Sequence, residues 1–161
     1  MVLQFLKKRL ILFRNGRLGV YAIALWTTLL CPFDLFAEQI AIIVNQNGPL
    51  THISKGDVRE IYLGERRFVE GVRIVPIHCP EGPIKDSFLS SIIGQTSKAY
   101  KLHWTKKVFQ EGLTLPEVKA DPSEIVELVR KQQEAIGYVP RELVSEDQGV
   151  RIIDTIEVVK P

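Results

Sequence analysis

A cluster of positive charge followed by an uncharged apolar run sets what the rest of this chain can become. Lys7, Lys8, Arg9, Arg14 and Arg17 crowd the start, and Leu18 to Leu30 then carries no charge. Pro32 breaks the run, and Leu35-Phe36-Ala37 precedes Glu38. A positive region, a short apolar core and a small residue at the junction are the features of a secretory signal peptide. The run is 13 residues long, short of the ~18 to 20 that cross a bilayer as a helix. We therefore expect residues 1–37 to be a signal peptide and residues 38–161 to be a domain exported to the periplasm. Two alternatives stay open. One is an uncleaved inner-membrane anchor facing the periplasm. The other is a lipoprotein through Cys31, although Thr28-Leu29-Leu30 lacks the small residue such a cut uses.

The leader also decides how the charge is read. The chain has 21 Lys+Arg and 19 Asp+Glu, net +2. The leader holds five of those bases and one acid, Asp34, so residues 38–161 carry a net −2. The basic balance belongs to the leader, and no nucleic-acid partner is expected of the domain. The 124 residues that remain suffice for one domain with a single core. They keep one cysteine, Cys79, so no disulfide can form within the domain.

Gln39 to Asn45 is a continuous apolar run rich in β-branched residues, the pattern of a buried strand. Ser54-Lys55-Gly56-Asp57 predicts a helix start with Ser54 as N-cap, with Val58, Ile61 and Tyr62 on its inner face and Gly64 at its end. Arg73 to Ile77 predicts a second strand, with Pro76 marking an edge or the end of pairing. Gly82-Pro83 opens a helix whose inner face is Ile84, Phe88, Ser91 and Ile92 and which Gly94 closes. Ser97 caps the next helix, bearing Tyr100, His103, Trp104 and Val108. Asp121-Pro122-Ser123-Glu124 is a strong cap for a helix lined by Ile125, Val126, Leu128 and Val129. Ala135 to Pro140 reads as a short strand leaving the core, and Val150 to Ile153 as a last strand. Helices alternating with short strands predict an α/β fold, a small mixed sheet flanked by helices.

No catalytic signature is present: no Gly-x-Ser-x-Gly, no phosphate loop of the Gly-Lys-Ser type and no His-Glu-x-x-His. His52, His78 and His103 share no ligand spacing, and the adjacent His78 and Cys79 point to opposite faces of a strand. We expect no enzyme activity, no metal site and no cofactor. Cys79 reads as a partly buried thiol at a strand end rather than a nucleophile.

Five segments in order resemble the phosphate-binding protein of bacterial phosphate ABC transporters. They are Ile40 to Asn45; Val58-Arg59-Glu60-Ile61-Tyr62-Leu63-Gly64; Phe68 and Gly71; Glu81 to Phe88; and Ala135-Ile136-Gly137-Tyr138-Val139. The resemblance implies one lobe of a type II periplasmic binding protein, a family whose two lobes close on a ligand. It aligns the family's Ser-Gly-Thr phosphate loop with Gly82, Pro83 and Ile84, and the family's arginine with His78. Both loop hydroxyls are thereby lost, Pro83 has no N–H, and Glu81 adds a negative charge. The remaining candidate ligand residues are Asn45, His78, Gly82, Pro83, Ile84 and Lys85, with the Ile84 and Lys85 N–H groups and the Lys85 ammonium as donors. Gly82-Pro83 as a mere helix start is the competing reading. The implied function is a periplasmic solute-binding-like protein with a degenerate anion site. Its implied partners are phosphate or another small oxyanion, an ABC permease or other envelope protein, and a second copy that would rebuild a cleft as a homodimer. The alternative is a structural, interaction or sensor module of the envelope that kept the fold and lost the ligand.

Overall fold

The computed structural model describes residues 38–145 and 149–158. The expected leader, residues 1–37, lies outside them. Strand β1 (Gln39–Asn45) is buried along its length after Gln39, as an uninterrupted apolar run requires. Helix α1 (Lys55–Tyr62) starts at a complete capping box. The Ser54 hydroxyl accepts from the Asp57 N–H at 3.2 Å, and the Asp57 carboxylate accepts from the Ser54 N–H at 2.7 Å. The bonds from Ser54 hold the Asp57 carboxyl below its ordinary range. Val58, Ile61 and Tyr62 form the buried stripe.

A small hairpin follows, β2 (Phe68–Val69) and β3 (Val72–Arg73), and then β4 (Val75–His78). The strand predicted from Arg73 is thus split: Arg73 belongs to the hairpin, and only Val75 onward joins the main sheet. The edge reading of Pro76 is also corrected, because β4 lies inside the sheet. The physical reason is the register with the strand Glu117–Val118. Val75 N–H donates to Glu134 O on one side of the strand, so the next residue's nitrogen faces the other side. Pairing there begins only at Ile77, and the missing N–H of Pro76 leaves no ladder bond unmade.

Helix α2 (Pro83–Phe88) runs into a π-helical turn, Leu89–Ile93, closed by left-handed Gly94. That wider turn rotates the inner face. Lys85, Ser87, Phe88, Leu89, Ile92 and Ile93 are buried, whereas regular helical spacing selects Ile84 and Ser91, which are only half-buried. Helix α3 (Ser97–Glu111) is capped by Thr96, whose hydroxyl accepts from Ala99 N–H at 3.2 Å; Ser97 is its first residue, not its cap. Strand β5 (Glu117–Val118) and helix α4 (Pro122–Lys131, capped by Asp121) lead to β6 (Ala135–Pro140). The chain closes with a 3-10 turn, Arg141–Leu143, and β7 (Val150–Glu157).

The sheet order is β5-β4-β6-β1-β7. Strands β4, β5 and β6 are parallel, and β1 runs antiparallel to both β6 and β7. The fold is therefore a mixed sheet flanked by helices. Rather than leaving the core, β6 is fully buried between β4 and β1. Gly137 on β6 explains how closely α4 packs there. A Cβ at that position would sit 2.3 Å from the Ile125 methyl, so only glycine fits.

Candidate functional site

Strand β4 ends in His78, and its imidazole is 2% exposed. Four aromatic rings surround it: Tyr62 from α1, Phe88 from α2, Tyr100 from α3 and Tyr138 from β6. Both imidazole nitrogens are engaged. Nδ1 is 2.9 Å from the Tyr138 hydroxyl, and Nε2 is 2.8 Å from the Tyr100 hydroxyl. The direction of each bond follows from proton counting. Tyr100 donates its one hydroxyl proton to Tyr62 O at 2.7 Å, so it accepts from His78 Nε2–H. With the ring neutral, Nδ1 then accepts from Tyr138 O–H. This arrangement needs a neutral imidazole. Burial, with the Lys85 charge adding to it, lowers the His78 pKa to about 3. His78 thus has no donor left for an anion, and at neutral pH it carries no charge.

The neighbours are equally committed. Tyr62 O also accepts from Trp104 Nε1–H at 3.1 Å, and the Tyr62 hydroxyl reaches Ile77 O and Ile136 O. Burial raises the Tyr62 and Tyr138 phenols well above their ordinary range. Cys79 Sγ–H donates to Tyr138 O at 3.1 Å, and burial pushes the thiol up to about 12. A thiol so rarely ionised is no nucleophile.

The other predicted site residues divide between two places. Asn45 ends β1, away from His78. Its Nδ2 donates to Val129 O at 3.0 Å and Arg130 O at 2.9 Å, and its Oδ1 accepts from Asn47 N–H at 2.9 Å. The side chain stitches β1 to the last turn of α4. Gly82, Pro83 and Ile84 form the entry to α2. Gly82 adopts φ 148, a conformation that favours glycine, and no side chain caps the helix. Lys85 is different: its side chain is 9% exposed, and its ammonium pairs with Glu81 at 2.6 Å.

Lys85 and His78 come together in one cavity of about 440 Å³, lined also by Glu81, Ser97, Lys98, Tyr100, Lys101, Trp104, Leu115, Pro116 and Val118. Of the six predicted residues, these two share a wall. Asn45, Gly82, Pro83 and Ile84 do not line it. Sequence reasoning missed Lys98 and Lys101, although their i, i+3 spacing on one helix places them on a common face.

No family profile matches the chain, and no curated protein matches it. Its structure does match solved structures. A protein described as a phosphate ABC transporter substrate-binding protein from Clostridium perfringens, with phosphate bound, aligns with TM-score 0.55 and 23% identity, over 72% of this chain and 44% of that one. An ABC-type phosphate transport receptor from Vibrio cholerae gives TM-score 0.53 and 20% identity, over 72% of this chain and 45% of that one. PstS from Borrelia burgdorferi gives 0.54 and 17%, over 71% of this chain and 46% of that one. At such identities the likeness is one of fold. The chain spans less than half the length of each, and what it shares with them is the fold, a mixed sheet flanked by helices.

Proposed function

We propose that this chain is a periplasmic solute-binding-type protein whose phosphate loop is degenerate, so that it does not hold inorganic phosphate at Gly82–Ile84. The observation that carries the reading is His78. It stands where the resemblance aligns an arginine, and its two nitrogens are spent on Tyr100 and Tyr138. The loop itself offers no hydroxyl, and the nearest ammonium, Lys85, is already neutralised by Glu81. A strong oxyanion site needs several converging donors, with arginine giving two in a fixed fork. What the fold brings to this reading is descent from a binding architecture, and residues 1–37 bring the export signal. The domain acts beside an envelope partner of the permease class.

Titration calorimetry of the chain with inorganic phosphate tests this. We expect no saturable heat up to millimolar phosphate. Micromolar binding that Lys85→Ala weakens and Lys98→Gln/Lys101→Gln leaves unchanged would restore a working phosphate loop and overturn the reading. A second reading, an envelope interaction module, is favoured by Phe109, which is 85% exposed on α3 together with Leu102.

A further inference from the structure

Four features of the cavity beside Trp104 stand apart from the degenerate loop. The first is charge. Lys85, Lys98 and Lys101 line it against one carboxylate, Glu81, and Glu81 is held by Lys85. Lys98 and Lys101 have no ion-pair partner among the described residues. Asp86, outside the lining, accepts from the Ser97 hydroxyl.

The second is where these cations sit. Lys98 is in the first turn of α3 and Lys101 in the next, and no acidic residue occupies that first turn. The N-terminus of a helix is its positive end, so acids are favoured there and lysines are not. A 15-residue helix that places two unpaired ammoniums at its positive end departs from the local preference. The two fields add, and they add at the cavity mouth. Departures of this kind concentrate at functional sites.

The third is the wall. Leu115 and Val118 are 59% and 53% exposed, and they face the cavity with Pro116 and the buried rings of Tyr100 and Trp104. Apolar walls with a few convergent polar groups are the composition of small-molecule sites. The fourth is size. At about 440 Å³ the cavity falls within the roughly 300 to 1,000 Å³ of organic-ligand pockets. A water molecule takes about 30 Å³, so a bare oxyanion a few times that size would leave the apolar wall untouched.

We propose that this cavity binds a small organic anion: an apolar body, aromatic or branched aliphatic, carrying a carboxylate or phosphate monoester group. The anionic group lies against Lys98 and Lys101, and the body lies against Leu115, Pro116, Val118 and the Trp104 ring. The site shares Lys85 with the loop but seats its anion on Lys98 and Lys101, so it stands whether or not Gly82–Ile84 binds phosphate.

Trp104 supplies the readout. The chain has two tryptophans, Trp26 and Trp104, so the full chain carrying Trp26→Phe reports from the cavity wall alone. The probes are 4-phenylbutyrate and phenyl phosphate, with 4-phenylbutanol as the uncharged analogue and inorganic phosphate as the bare anion. We expect both organic anions to shift Trp104 emission saturably and the other two to bind at least tenfold more weakly. Lys98→Gln/Lys101→Gln should weaken the organic anions tenfold or more. Val118→Glu, which places a carboxylate on the exposed wall, should do the same by a different route. Arg67→Gln/Arg73→Gln, in the neighbouring cavity across Trp104, should leave affinity unchanged. Equal binding of 4-phenylbutanol, or unchanged affinity in both cavity variants, would overturn the proposal. Tighter binding of inorganic phosphate than of phenyl phosphate would overturn it as well, by making the site one for a bare oxyanion.

Discussion

Strand β4 with the entry to α2, and the exposed first turns of helix α3, line one cavity, and they use their polar groups in opposite ways. On the β4 side, His78 gives both nitrogens to tyrosines, and the Lys85 ammonium goes to Glu81. On the α3 side, Lys98 and Lys101 project without ion-pair partners among the described residues. Groups satisfied internally hold the fold together; exposed charges with no partner in the protein are available to something else. The difference teaches that position alone is a weak guide to a site. His78 stands at the aligned position with both nitrogens bonded within the protein, while the lysines stand at no aligned position and have no ion-pair partner among the described residues.

The largest effect we expect lies beneath the β4 wall. Phe88 is fully buried, stacked on Tyr138 at 3.9 Å and edge-on to Tyr62 at 4.7 Å. Phe88→Ala should destabilise the domain by about 3 to 5 kcal/mol, read by urea denaturation. A loss below about 1 kcal/mol would break the comparison, because the β4 side would then not be tightly packed. Asn45 comes next. Asn45→Ala strands the Val129 and Arg130 carbonyls, and we expect a loss of about 2 to 3 kcal/mol with no change in anion binding. A binding defect at unchanged stability would return Asn45 to the ligand site.

His78 sharpens the comparison through pH. Its folded pKa is about 3, against the ordinary 6.5. Between those values the unfolded chain binds a proton that the folded chain refuses. Stability from the neutral imidazole is therefore complete above about pH 6.5 and is lost progressively as pH falls toward about 3. Asp57, Asp121 and Glu127, whose pKa values folding lowers, lose stability in the acid range too. The comparison with His78→Gln isolates the imidazole: the variant should start less stable and show a shallower acid slope. Equal slopes in the two proteins would mean that His78 is protonated in the folded state.

Much of the fold was legible in the sequence because its signals are local. The apolar run of Ile40 to Val44, the Ser54–Asp57 box and the Asp121-Pro122 start each announce an element without help from the rest of the chain. The signals that failed were non-local. Pro76 reads as an edge because proline breaks ladders, yet it escapes that cost through the register of β5, forty residues on. The inner face of α2 shifts because the π turn after it adds a residue to the repeat. β6 reads as a short strand leaving the core, whereas its glycine is what lets Ile125 close on the strand. The site divides the same way. Lys85 and His78 are found by alignment to a motif. The Lys98–Lys101 pair becomes visible only when α3 is folded against Leu115 and Val118.

The smallest expected effect is the one that decides between the walls. Lys98 and Lys101 are exposed and carry no ion pair among the described residues, so removing their charges costs the fold little. It even relieves a cation at the positive end of α3. Lys98→Gln/Lys101→Gln should therefore leave stability within about 0.5 kcal/mol of the parent, on the stabilising side if anywhere. A thermal melt at low salt gives the sign, and raising the salt should erase it, because the helix-end field is screened within about 10 Å at 0.1 M. A clear loss of stability would mean that the two ammoniums hold the domain together. The α3 wall would then be as spent as the β4 wall, and the contrast between them would disappear.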